Sequence, residues 1–257
     1  MTHQEPPLQV YEHPLNERMR GILRLENLFK NALLGLSQTS AWHSQQALCR
    51  LLDIADIVSR NEIRLEIIKE LERLGTALTA LQTSPAVDSA RLGVILDNLD
   101  VLVDELHEQG PVGQKVLELP LLIDVKRRYL VPGGLSQFDL PNLHYWLHQP
   151  PEARLQDLTN WFSYFQGIHQ SVQLILKLTR ESGRTSNQSA LAGHYQANLP
   201  ASASLQLLRI SLDHSALCYP EISASKHMAS IRFVSLQSAA PETDKTTIQF
   251  QLKVCAL

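Results

Sequence analysis

SGRTSNQSALAGHYQANLPASAS, residues 182–204, decides the fold, because the apolar residues follow different periods on its two sides. The stretch itself is rich in Ser, Ala, Asn and Gly and carries no helical stripe. Downstream, Ile248, Phe250, Leu252 and Val254 alternate with Gln249, Gln251, Lys253 and Cys255. A period of two sets one face of a strand in a core and the other in solvent. Leu208, Ile210 and Leu212 alternate likewise, Ser230–Leu236 predicts a third strand, and Pro241–Asp244 lies in the loop joining the last two. Three strands with one apolar face need cover. Leu8–Tyr11 can supply a further strand that clasps the N-terminus to the C-terminal sheet.

Upstream, from Pro14 to about Ser182, the spacing is helical. Leu15, Met19, Ile22, Phe29, Leu33 and Leu36 advance by steps of three and four, broken only at Glu26. This predicts one buried stripe on a helix with Pro14 near its first turn, where a missing N–H costs nothing. Ser40 is placed to cap a second helix carrying Leu48, Leu51, Leu52, Ala55 and Val58. Asn61 is placed to cap a third carrying Ile67, Leu71, Leu74, Leu78 and Leu81. Pro85 separates a fourth, with Leu92, Ile95, Leu99, Leu102 and Leu106, and Gly110-Pro111 ends it. Pro150-Pro151 precedes a last helical stretch, Glu152 to Ser182, which Gly167 can divide. Such helices joined by short breaks pack as antiparallel neighbours. The expected fold is therefore α+β: an N-terminal antiparallel helical bundle, residues 1–183, and a small C-terminal antiparallel β-sheet domain, residues 184–257.

A length of 257 residues and an apolar fraction of 44% are ample for a packed core. A net charge of −3 excludes the strongly basic profile of a bulk nucleic-acid binder, and 6% aromatics leave few platforms for stacking RNA bases. The charge is uneven. From Asp88 to Asp124 eight acids face two bases, so the remainder of the chain is net basic and can carry a local basic surface. Cys49, Cys218 and Cys255 lie far apart with no CxxC pair, which fits a reducing cytosol. The N-terminal MTHQEPPLQVYEH lacks a charged-then-apolar signal pattern, and no apolar run is long enough to span a membrane.

Motifs for catalysis are absent: no glycine-rich phosphate loop, no GxGxxG, no GxSxG elbow. The nearest metal-like feature is His144-Tyr-Trp-Leu-His148, two histidines on one helix face. The metalloprotease pattern sets Glu directly after the first His, where Tyr145 stands. Cys49 and Cys218 read as small apolar core residues. No metal, cofactor or enzymatic activity is expected; the alternative class is a hydrolase or metal-dependent enzyme on a helical scaffold.

Three segments carry a resemblance. They are Tyr11-Glu-His-Pro-Leu-Asn-Glu-Arg-Met-Arg20 running into Leu23-Arg-Leu-Glu26; Pro132-Gly-Gly134 followed by Phe138-Asp-Leu-Pro-Asn-Leu-His-Tyr-Trp-Leu147; and Tyr219-Pro-Glu-Ile-Ser223 with Ile231-Arg-Phe233. Together they resemble the ZapD family of bacterial cell-division proteins associated with the FtsZ ring. The resemblance implies a cytoplasmic, non-enzymatic homodimer at the mid-cell division site that binds the C-terminal tail of FtsZ and bundles its filaments. It implies a basic pocket for that tail including Arg24 and His144, with Arg60 matching a further basic position. Arg20, Arg64, Lys126 and Arg128 complete the candidate set. In one place the chain departs from the pattern: Pro120 stands where the resemblance implies another arginine, and Lys126, Arg127 and Arg128 lie close by and can replace its charge. Arg20 and Arg24 lie one turn apart beside the apolar stripe, and a guanidinium can bond a peptide carboxylate through two N–H groups at once.

Overall fold

The computed structural model of the chain describes residues 8–85, 87–110, 112–200, 204–235 and 247–256. The expected loop at Pro241–Asp244, together with Leu236 and Pro111, lies outside these residues. The architecture is α+β, with helices in the N-terminal part and antiparallel strands in the C-terminal part, as the change of period predicted. Residue contacts divide the chain into two compact units, Met1–Arg20 with Leu176–Leu257, and Gly21–Ile175.

The first unit holds two sheets. One has the order β1 (Leu8–Pro14), β4 (Leu205–Asp213), β7 (Ile248–Ala256), β2 (Arg184–Ala190); the other has β3 (His194–Asn198), β6 (Met228–Ser235), β5 (Cys218–Ala224). All neighbouring strands run antiparallel. The two sheets share one core: Leu208, Ile210, Leu212, Phe250 and Leu252 of the first meet Ile231 and Phe233 of the second. Phe250 lies edge-on to Tyr195 at 5.2 Å between ring centroids and 5.0 Å from Phe233. Glu12 of β1 takes a two-pronged bond from Arg180, at 2.8 and 2.6 Å. Arg209 of β4 sets its Nε 2.8 Å from the same carboxylate, with its N–H out of line for a hydrogen bond.

Pro14 does not open a helix. It is the last residue of the edge strand β1, opposite Leu207, where an absent N–H is harmless. The helix starts later, as α1 (Glu17–Leu36), and its first turn is capped by Asn16, whose Oδ1 accepts from Met19 N at 2.8 Å. The buried stripe of α1 is Met19, Ile22, Leu25, Phe29 and Ala32, so Leu25 fills the step that Glu26 seemed to break, while Leu33 is exposed.

The second unit is built around α2 (Ala41–Ser59), which buries residues on almost every side: Ala47, Leu48, Cys49, Leu51, Leu52, Ile54, Ala55 and Val58. Its remaining face carries Trp42, Gln46, Arg50, Asp53 and Asp56. The helix packs on α3 (Asn61–Thr79), α5 (Val112–Leu117), α6 (Pro120–Tyr129), α7 (Pro141–Leu147) and α8 (Pro151–Ser163). Ser40 caps α2 as expected, accepting from His43 N. The cap position of α3 is Arg60 rather than Asn61, with no side-chain cap bond. At Gly113 the α5 backbone touches α2: a Cβ there would stand 2.6 Å from the carbonyl oxygen of Ala55. Asp88 caps α4 (Ser89–Gln109) through Ala90 N and Arg91 N, and Gly110 ends it with φ +60°. The stretch from Glu152 breaks at Tyr164–Phe165, between α8 and α9 (Gln166–Glu181), and Gly167 lies inside α9.

His169 of α9 is half-buried against Phe29 at 4.7 Å and Phe162 at 6.1 Å. Burial pulls its pKa below the ordinary 6.5. His13, in the other unit, is lowered by burial and then by Arg20. For such groups the unfolded chain binds protons first as pH falls, so stability is complete above about pH 6.5 and is lost below it. Urea unfolding at a series of pH values is expected to show this decline, and His169→Gln is expected to remove part of it.

Candidate functional site

The candidate residues fall in three places. Arg20 belongs to the first compact unit and pairs with Glu17 at 3.1 Å. Arg24, one turn further along α1, is exposed and makes no hydrogen bond or ion pair among the described residues. Gly21 explains why α1 comes close to α3: a Cβ there would stand 2.9 Å from Ile63 Cδ1. That contact brings the turn before Arg24 against the first turn of α3, between Arg60 and Arg64. Arg60 is exposed and likewise pairs with no carboxylate among the described residues. Arg64 is committed to structure, since its Nη1 donates to the Leu106 carbonyl at 2.6 Å. A cation on the last carbonyls of α4 is a C-terminal cap.

Lys126, Arg128 and His144 form the other group, on α6 and α7. Leu122 and Val125 bury one face of α6 and leave Lys126, Arg127 and Arg128 exposed in its last turn. Lys126 Nζ lies 2.9 Å from Asp56 Oδ1 of α2, one turn before Arg60. Arg127 and Arg128 reach Asp124 and Asp139 only at 3.9 and 3.8 Å, so most of their charge faces solvent. Asn142 Nδ2 donates to Asp124 at 2.7 Å and ties α7 to α6. Leu143 and Trp146 anchor α7 in the core, which turns His144 and Tyr145 outward. Trp146 also donates from Nε1 to Asp157 at 2.9 Å. Asp56, which pairs with Lys126, and Arg60 are both exposed, one helical turn apart at the end of α2.

The histidine pair is not built as a metal site. His148 Nδ1 donates to the His144 carbonyl at 2.8 Å, with the rings 4.3 Å apart. Among the described residues no group of three or more His, Cys, Asp or Glu is placed to hold a metal ion. The cysteines are buried. Burial pushes the Cys49 thiol up to about 11, with Arg50 opposing and Asp53 assisting, and raises those of Cys218 and Cys255. A thiol so far from its thiolate is a poor nucleophile. No helix among the described residues is long and apolar enough to cross a membrane.

Residues 23–232 match the profile of a family described as ZapD, cell division protein. The chain is 38% identical over 248 residues to the cell division protein ZapD of Bordetella petrii, covering 96% of this chain and 99% of that relative. It is 36% identical over 250 residues to the ZapD of Methylococcus capsulatus, covering 96% and 98%. The chain belongs to the ZapD family.

Among the ZapD-derived positions, Pro120 suits its place in the fold. Pro120 is the first residue of α6, where proline fits because no helical N–H is needed. Lys126 lies six residues on, about 9 Å along the helix, and is already bonded to Asp56. Two residues that sequence reading passed over stand beside the ZapD candidates. Arg50 of α2 pairs with Asp53 at 3.0 Å and donates to Tyr129 Oη at 3.1 Å, which in turn donates to Asp53 at 3.3 Å. Arg154 of α8 is buried and donates to Ser44 Oγ and to the carbonyls of Thr39, Leu147 and Gln149. No local pattern marks either one. Both are defined by partners far away in the sequence.

Proposed function

We propose that this cell-division protein binds the C-terminal tail of FtsZ and, as a homodimer, joins neighbouring FtsZ filaments at the mid-cell ring in the cytoplasm, without catalysis. Family membership and the three quoted segments support this reading. The observation that carries it is the pair of exposed guanidinium groups, Arg24 and Arg60, which no carboxylate of the described residues neutralises. Their charge is available to an acidic peptide, and Arg127 and Arg128 of α6, which reach their carboxylates only at 3.9 and 3.8 Å, add to it. Arg64, held by Leu106, shapes the surface. A two-fold dimer presents two equivalent tail sites. Weak single attachments then give firm cross-links through the many tails along a filament.

Solvent-exposed charge pairs are screened by salt. Binding of a labelled FtsZ tail peptide, followed by fluorescence anisotropy, is expected to weaken several-fold between about 50 and about 500 mM salt. Affinity that does not change across that range contradicts a tail held by exposed cations.

A further inference from the structure

Two open cavities of the second unit join into one groove. One, about 500 Å³, lies between the C-terminal half of α1 and the start of α2 and includes Leu34, Trp42, Gln46 and Arg50. The other, about 600 Å³, lies between α2 and the segment Tyr129–Ser136, and shares Gln46 and Arg50 with the first. Trp42, Gln46 and Arg50 are successive turns of one α2 ridge, so the groove follows that ridge. Its apolar walls are unusually open to solvent: Trp42 is 63% exposed, Leu34 57% and Leu130 89%.

The lining is selective in charge. Neither half contains a carboxylate, whereas Arg50 sits at the junction and Lys126, Arg127 and Arg128 immediately precede Tyr129 at one end. The groove between α3 and α4 has the opposite character, lined by Glu72, Asp97 and Asp100 without a cation. Arg50 uses two of its bonding directions, on Asp53 and Tyr129. A guanidinium has five N–H donors, so donors remain for a ligand.

Spacing defines the occupant. Two turns of α2 separate Trp42 from Arg50, about 12 Å at ~1.5 Å per residue. An extended peptide covers that distance in three to four residues at ~3.3 Å each. We infer that the groove along Trp42, Gln46 and Arg50 receives an extended, apolar–acidic stretch of the FtsZ tail, setting an apolar side chain on Trp42 and a carboxylate on Arg50 three or four residues away. This rests on the tail-binding reading above and adds a second contact region to it. The glutamine side chains along the ridge bond the peptide backbone, and Leu130 closes over the next apolar residue.

Trp42 supplies the readout. Of the three tryptophans, Trp146 is buried and Trp161 is half-buried and stacked on it at 5.7 Å, away from the groove lining, so occupation of the groove should shift tryptophan emission of the full-length protein to the blue as Trp42 is covered. With the synthetic FtsZ tail peptide as probe, Trp42→Ala is expected to abolish the shift and weaken binding about tenfold, the size of an interface anchor. Leu130→Ser should weaken it as well. Both side chains are exposed, and circular dichroism with thermal unfolding checks that the variants keep the fold. Wild-type affinity in Trp42→Ala, alongside lost binding in Arg24→Asp, overturns the groove and leaves the basic site standing. A wild-type protein that ignores the peptide overturns both. A Trp42→Ala protein that turns monomeric in sedimentation equilibrium also overturns the groove, by assigning it to a second copy of the chain.

Discussion

Replacing Arg154 by methionine is expected to lower the unfolding free energy by roughly 3 kcal/mol. Methionine keeps much of the side-chain volume, so lost packing is a minor part. The loss comes from three partly buried backbone carbonyls, those of Thr39, Leu147 and Gln149, and the buried Ser44 hydroxyl, all bonded by the buried Arg154. A buried acceptor without a donor costs about 1–3 kcal/mol. Relief from holding a desolvated cation offsets part of that sum but not all of it, because the fork of the guanidinium satisfies the carbonyls simultaneously. Arg154→Lys keeps the charge but not the fork, and should fall between the two. Tail-peptide binding is expected to weaken as well, since Leu147 ends α7, which carries His144, and Thr39 precedes α2, which carries Trp42. Urea unfolding monitored by circular dichroism measures the loss. A change below about 1 kcal/mol would show that water replaces the guanidinium without penalty.

Reversing charge at the candidate tail site is expected to have the second large effect. Arg24→Asp and His144→Asp each set a carboxylate where an acidic peptide should lie, replacing attraction by repulsion. Each should weaken tail-peptide binding tenfold or more, a factor set by about 1.4 kcal/mol. Arg24→Ala should do less, since it removes attraction without adding repulsion. Arg60→Asp should weaken binding too, and Arg64→Asp should destabilise the fold first, because Arg64 caps α4. Filament bundling should fall more steeply than peptide affinity, since cross-linking depends on many attachments at once. Circular dichroism separates loss of binding from loss of fold. A folded Arg24→Asp protein that binds the tail like the wild type removes Arg24 from the site.

The split into helices and strands was legible because α4 and most of β7 state their periods: Leu92, Leu99, Leu102 and Leu106 on one face of a helix, Phe250 and Leu252 on one face of a strand. At the end of β7 the alternation breaks, since Cys255, expected on the solvent face, is fully buried and Val254 only half so. Other elements hid for physical reasons. β2 reads Arg-Thr-Ser-Asn-Gln-Ser-Ala and lies at a sheet edge with most of its residues exposed, so no alternation marks it. Pro14 suits the end of an edge strand as well as the start of a helix, and only the pairing with Leu207 decides between them. α2 was read from one stripe, although its burial on nearly all sides makes it the hub of its unit. For the site, Arg24, Arg60 and His144 are exposed, and their place in the candidate set came from resemblance rather than spacing. Arg50 and Arg154 were invisible locally, since an arginine's role depends on which distant carbonyls and carboxylates the fold brings to it.

The most direct measurement is sedimentation of purified FtsZ filaments with the full-length protein, comparing intact FtsZ with FtsZ lacking its C-terminal tail. The account predicts that the protein carries intact filaments into a low-speed, bundled pellet, and that tail-less filaments stay unbundled with the protein left in the supernatant. Equal bundling of tail-less filaments, or no bundling of intact ones, would contradict it.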